Sequence, residues 1–298
     1  MTGIKEQITD YSSRFNHRLP EFFPLPSGPE SLVIEAMKYS VANGGKRLRP
    51  FLVYETAKLF GISFEESLRT AAALEFLHSY SLIHDDLPAM DDDNLRRGKP
   101  TCHKAFDEAT AILAGDGLLT YAFEILSDEK THPSAEIRAQ LINMLASAAG
   151  AFGGMVAGQT LDLYAEKNAG TGSETLIRHI EEMKTGRLIR FACEAGGVLG
   201  NADEKTLQVL TAYSRKIGIA FQIADDILDV EGDQALVGKT LNKDAAQGKA
   251  TFVSLQGVEK AKQLARCYID DAKELIGIFG EKSAALSALA DFIIERKN

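Results

Sequence analysis

The chain reads as an all-α protein, a single large helical bundle, and three observations carry that reading. Apolar residues recur at helical spacing along most of its length. Alternating runs of β-branched residues are missing, and the proline and glycine punctuators fall between helical stretches. Hydrophobic residues make up 45% of the 298 positions, enough for a large core. No internal period and no Pro/Ser-rich linker interrupts the pattern, so residues 1–298 are read as one domain.

Taken in order, Leu32, Ile34, Ala36 and Met37 open a first helix, and a long, mostly apolar helix covers residues 71–83. Helices follow over 111–125, 176–193, 207–230, 261–279 and 284–294. Residues 141–159 carry no charge and contain a Gly150-x-x-x-Gly154 pattern. A membrane span needs about 20 apolar residues. This stretch is rich in Ala and Gly, includes Asn143 and Ser147, and runs straight into Asp162. A buried, closely packed core helix is expected there, and no membrane span.

Composition excludes some partners. With 42 acidic against 33 basic residues the net charge is −9, which argues against a nucleic-acid-binding face. Cys102, Cys193 and Cys267 are too few and too scattered for a disulfide framework, so a reducing, cytoplasmic setting is expected. The first ten residues hold charges and no apolar core, so no signal peptide is expected.

Two acidic clusters dominate the chemistry. Residues 85–93 hold five carboxylates, entered from an apolar run and followed by Arg96 and Arg97. Asp225-Asp226-Ile227-Leu228-Asp229 also follows an apolar run, and its i, i+4 spacing puts Asp225 and Asp229 on one helix face. Clustered carboxylates repel unless a cation joins them, and an oxygen-only set suits a hard cation such as Mg²⁺. Pro88 must end or kink its helix, so the later carboxylates are expected in the turn beyond it. Either Asp91 or Asp92 can come over Asp85 there. His78 and Ser81 share the face of Asp85, whereas Tyr80 is rotated away by about 140°. Gly44-Gly45-Lys46-Arg47-Leu48-Arg49-Pro50 sets three cations beside a glycine pair, a cradle suited to a diphosphate. Lys184-Thr185-Gly186-Arg187 interrupts a helix with a glycine and can free carbonyls toward something positive. His84 and His103 lack a second ligand at zinc spacing and read as structural or hydrogen-bonding.

Together these motifs resemble those of the trans-isoprenyl diphosphate synthases, most closely the bacterial farnesyl diphosphate synthases. The resemblance runs from Gly44 to the C-terminal helix, with Asp85-Asp86 plus Asp91 as the first aspartate motif and Asp225-Asp226-x-x-Asp229 as the second. It implies an isoprenoid-synthase bundle with a central substrate cavity. It also implies Mg²⁺-dependent condensation of isopentenyl diphosphate with dimethylallyl and geranyl diphosphates to (2E,6E)-farnesyl diphosphate, by a homodimer. By resemblance, Asp85, Asp91 and Asp225 would bind Mg²⁺, three ions per site, with Asp86, Asp226 and Asp229 ligating or supporting. Arg96, Lys184 and Lys239 would neutralise the allylic diphosphate, and Lys46, Arg49, His78 and Arg97 would hold that of isopentenyl diphosphate. Thr185 and Gln222 would put oxygens beside the allylic cation, and Gln159 with Asp162 would line the cavity. Tyr80, with small Ser81 beside it, would close the product tunnel at fifteen carbons. The chain departs from the family pattern at Lys249-Ala250-Thr251-Phe252-Val253 and at Asn242, and neither change touches a carboxylate. A geranylgeranyl diphosphate synthase is the nearest rival reading. A non-catalytic partner subunit or a terpene cyclase would leave one motif or the second diphosphate cradle unused.

Overall fold

The computed structural model describes residues 3–24, 27–168, 173–231 and 251–296. These are almost entirely helical, as the periodicity predicts. They divide into two compact units, Met1–Tyr54 with Ser63–Ile142, and Glu55–Ile62 with Asn143–Asn298.

The first unit holds α1 (Ile4–Arg18), α2 (Ser31–Ala42), most of α3 (Leu48–Lys58), α4 (Phe64–Asp85), α5 (Cys102–Ala105), α6 (Glu108–Ser127) and the start of α7 (Ala135–Ala149). Ser63 starts α4 with a capping box, its hydroxyl taking the Glu66 N–H while the Glu66 carboxylate takes the Ser63 N–H at 2.8 Å. From Ala71 to Leu74, and again at Phe76 and Leu77, α4 has no exposed surface. A helix that is apolar all round belongs in a core, and α4 packs chiefly on α6 and α2. By length and composition α6 is also apolar enough to cross a membrane; its inner side, Ala111, Ala114, Leu118 and Ala122, is buried within this unit. Tyr11 gathers Phe15, Phe51, Tyr54 and Phe64 around it at 5.4–5.8 Å.

No strand was expected, yet Leu95–Arg96 pairs antiparallel with Lys99–Pro100. The two-residue turn between them needs positive φ at both positions, and Arg97 (+53°) and Gly98 (+76°) supply it.

The second unit contains the ends of α3 and α7, α8 (Met155–Lys167), α9 (Glu174–Glu181), α10 (Arg187–Leu199), α11 (Glu204–Glu231), α12 (Phe252–Gln256), α13 (Val258–Ile276) and α14 (Ala284–Glu295). Its spine is α11, which packs along α10, α13 and α14. Tyr213, wholly buried on α11, donates its hydroxyl to the Leu286 carbonyl at 2.9 Å. Ile177, Ile223, Phe252, Ala261 and Ala265 form one apolar cluster of this unit. Gly196 lets α10 lie against the end of α3, since an added Cβ would come within 2.1 Å of the Thr56 hydroxyl.

Residues 141–159 are not one buried helix. They break between Ala149 and Met155, and Phe152 in the break is fully exposed. The glycines explain the break: a Cβ on Gly154 would stand 2.5 Å from the Ser147 carbonyl, so only glycine permits so tight a turn. The interruption expected at Gly186 is present as a π-helical turn, Glu182–Gly186, between α9 and α10.

Candidate active site

The first aspartate motif ends α4. Asp85 is its last residue and Asp86 its C-cap, because the helix cannot continue through Pro88. The chain then folds back so that the Asp91 N–H donates to the Asp85 carbonyl at 2.8 Å. Asp92 takes a positive φ of 48° and stays exposed. The turn thus returns Asp91, rather than Asp92, to Asp85. Asp86 is buried and held by a fork from Arg96, with Nε at 2.8 and 2.9 Å and Nη2 at 2.5 Å. Burial pushes the Asp86 carboxyl up, and the Arg96 guanidinium opposes that rise. Sequence reading gave Arg96 to a substrate diphosphate; in the structure its fork is engaged by Asp86 and its orientation is set by the hairpin.

The cationic cradle of the same unit separates by role. Arg47 points inward, 3% exposed, onto Glu75 at 2.5 Å, the Val41 carbonyl at 2.6 Å and Asn16 at 2.9 Å, so it holds the fold. Lys46 and Arg49 remain half-buried. Arg49 Nη1 lies 3.3 Å from His78 Nε2. Arginine can only donate, so His78 accepts there. Burial first, then Arg49, Arg97, Arg96 and Arg47, push the His78 imidazole well below its usual range, so it is neutral at neutral pH. Arg97 donates to the Gly44 carbonyl. Gly45 (φ +117°) permits this approach, since a Cβ there would sit 2.6 Å from Arg97 Nη1. Arg49, His78 and Arg97 are thereby brought together, beside the Gly44-Gly45 pair. Ser81 returns its hydroxyl to the His78 carbonyl at 2.8 Å, and Tyr80 stands edge-on to His84 with centroids 5.1 Å apart.

The second unit carries the other half of the predicted residues. The π turn presents Lys184 to Asp162 of α8, Nζ to Oδ2 2.6 Å. Thr185 donates to the Gln222 carboxamide oxygen at 3.3 Å, and Gln222 Nε2 donates in turn to Asp226 Oδ1 at 3.3 Å. Asp226 Oδ2 accepts the Phe252 N–H at 3.1 Å, so both of its oxygens are committed to protein donors. That bond, with the Thr251–Ser254 capping box, gives α12 a well-formed start despite the unusual sequence at residues 250–253. Asp229 is buried, while the Asp225 side chain keeps 38% of its surface. Lys239 lies outside the described residues.

Two residues escaped sequence reading. Arg296 reaches Asp225 Oδ1 at 2.7 Å and stacks on Phe221 at 3.8 Å, from 71 residues away, and no spacing signals that. Glu181 is pushed up to about 9 by burial and by Asp226 nearby, so its carboxyl keeps its proton at neutral pH. Its position three residues before Lys184 was the available clue.

Among the described residues no three carboxylate, histidine or thiol groups converge into a preformed metal cluster. The donors that are present fit Mg²⁺ nonetheless. They are all oxygens, and the buried Gln159 carboxamide has no hydrogen-bond partner for either polar atom among the described residues, as expected of a group facing a polar ligand.

A polyprenyl synthetase family model matches residues 30–285. The chain is 48% identical to the farnesyl diphosphate synthase of Escherichia coli K12, over 98% of both chains. It is 42% identical to the geranylgeranyl diphosphate synthase of Cyanophora paradoxa, over 92% of this chain and 91% of that one. A solved FPP/GFPP synthase from Zymomonas mobilis superposes with a TM-score of 0.89 at 43% identity, covering 98% of each chain. With two aspartate motifs, a cationic cradle and a broken helix all in place, and with matches along nearly its whole length, this chain belongs to the polyprenyl synthetase family.

Proposed function

We propose that the protein is a prenyltransferase that condenses isopentenyl diphosphate with dimethylallyl and then geranyl diphosphate, giving (2E,6E)-farnesyl diphosphate. The observation that carries this reading is the pairing of two oxygen-only aspartate motifs with a separate cationic cradle, Lys46, Arg49, His78 and Arg97. One anion needs the motifs; the cradle implies a second. The name of the E. coli relative supports the farnesyl product.

Asp85, Asp91, Asp225 and Asp229 are the proposed Mg²⁺ ligands, with Asp86 and Asp226 as supports because Arg96 and the α12 N-terminus occupy them. When bound there, Mg²⁺ supplies charge stabilisation to a departing diphosphate. Lys184 adds a cation to the same leaving group, and Lys239 is assigned that role by the family resemblance alone. As the allylic C–O bond breaks, its electron pair leaves with the diphosphate. The Thr185 and Gln222 oxygens offer dipoles to the allylic cation without a strong nucleophile. Arg49 and Arg97 orient the second diphosphate, whose alkene forms the new C–C bond, and the released diphosphate takes the proton lost. One family model across residues 30–285 supports treating the chain as a single synthase domain. A homodimer is proposed from the resemblance, in keeping with exposed Ile112 and Leu113 on α6, and a cytoplasmic setting from the exposed free thiol of Cys267.

The Cyanophora relative keeps a twenty-carbon product as the second reading. Incubation with isopentenyl and dimethylallyl diphosphates and Mg²⁺ separates the two. A fifteen-carbon product lost on chelation is expected, and Tyr80→Ala should lengthen it. No condensation at all would overturn the assignment.

A further inference from the structure

The structure shows how Tyr80 is held. Tyr80 is half-buried, so core packing alone does not fix its ring. The contact recorded for it is edge-to-face with His84, one helical turn on along α4, with ring centroids 5.1 Å apart and planes at 82°. His84 is itself anchored on α6. Its Nε2 lies 3.1 Å from the Ile112 carbonyl, which can only accept, so that nitrogen carries a hydrogen, and 3.9 Å from an Asp116 carboxylate oxygen.

That anchor depends on one glycine. A Cβ added at Gly115 would stand 2.2 Å from His84 Nε2 and 2.5 Å from Cδ2. Gly115 lies in the middle of α6, where glycine destabilises a helix relative to alanine, so a packing reason is needed. The notch that admits the imidazole is that reason. Tyr80, His84 and Gly115 thus form a line from one helix to the next, all within the first unit.

We infer that His84 and Gly115 are positioning residues for product length, fixing the Tyr80 ring as the tunnel stop by seating the imidazole against α6. This rests on the reading of Tyr80 as that stop. Neither residue is required to touch substrate. A stop that swings aside for part of the time lets geranyl and farnesyl chains grow further, whereas loss of an ordinary core contact changes stability without changing the product ratio.

The test compares Tyr80→Ala, His84→Ala, Gly115→Ala and the Tyr80→Ala/His84→Ala double variant. Each is read for the ratio of twenty- to fifteen-carbon product and for the rate of the first condensation, measured separately. His84→Ala and Gly115→Ala should each raise the ratio about 2- to 10-fold, the size of one edge-to-face contact, with the first condensation little changed. The double variant should match Tyr80→Ala alone, because His84 acts through Tyr80. Gly115→Ala leaves the neighbourhood of Asp85 chemically intact, so it reads the brace even if His84→Ala is inactive. If Tyr80→Ala lengthens product while both other variants stay at fifteen carbons, the brace is wrong and the tunnel reading stands. If Tyr80→Ala leaves product length unchanged, the tunnel reading fails and the brace with it.

Discussion

Gly158→Ala should disable catalysis without unfolding the protein. A Cβ at Gly158 would lie 2.3 Å from the Lys184 backbone nitrogen, 2.7 Å from its Cα and 2.8 Å from the Met183 carbonyl carbon. Ordinary van der Waals contact begins near 3.4 Å, so regaining it parts α8 and the π turn by about 1.1 Å. All three neighbours are backbone atoms, and no rotamer change can relieve them. The cost in stability is that of overpacking, about 1–3 kcal/mol. The cost in rate is larger, because the displaced elements carry Gln159, Asp162 and the Lys184 ammonium, which now meets Asp162 at 2.6 Å. A misplacement of about 1 Å costs on the order of 100-fold, so kcat/KM for isopentenyl diphosphate addition to geranyl diphosphate should fall roughly 30- to 100-fold by the same rule. Gly277→Ala is the control: its φ of −58° suits alanine and nothing lies within 4 Å of the new Cβ. Activity of Gly158→Ala within threefold of the parent, with an unchanged melting temperature, would refute the close approach.

Two further outcomes test the ionisable core. Glu181 has a folded pKa of about 9 against 4.5 for the free group, so between those values the unfolded chain binds fewer protons and stability falls as pH rises. In chelated protein, Glu181→Gln should match the parent at pH 5 and exceed it by at least about 1 kcal/mol at pH 8, one pKa unit being about 1.4 kcal/mol; parallel stability curves would count against it. Arg47→Met strands Glu75 in the core, which costs about 3–5 kcal/mol, roughly 6–20 °C in melting temperature at about 2–4 °C per kcal/mol. Calorimetry should also find much of that loss recovered in Arg47→Met/Glu75→Leu, and a loss under about 1 kcal/mol would show that Glu75 is not held as an ion.

Local pattern was enough for most of the helices and for where the two acidic motifs fall on them. Apolar spacing, the Ser63 capping signal and Pro88 after Asp85 each act within one or two turns, so the linear order displays them. The same holds for the i, i+4 pairing of Asp225 with Asp229 and for the break at Gly186. The uncharged stretch 141–159 misled for a related reason. Composition reports how apolar a segment is, whereas a glycine's backbone freedom decides whether the chain turns within it.

Only the tertiary structure chose the partners. Lys46, Arg47 and Arg49 look alike in the sequence, but Glu75, 28 residues beyond Arg47, draws that one inward, while Lys46 and Arg49 stay half-buried. Arg96 is claimed by Asp86 once the Arg97-Gly98 turn folds it back, and Asp226 by the Phe252 N–H, 26 residues on. Arg296 on Asp225 and His84 in the Gly115 notch likewise join groups far apart along the chain. Linear spacing determines which residues share a helix face. Which charge meets which depends on how the helices pack, where burying an unpaired charge is too costly to leave the choice open.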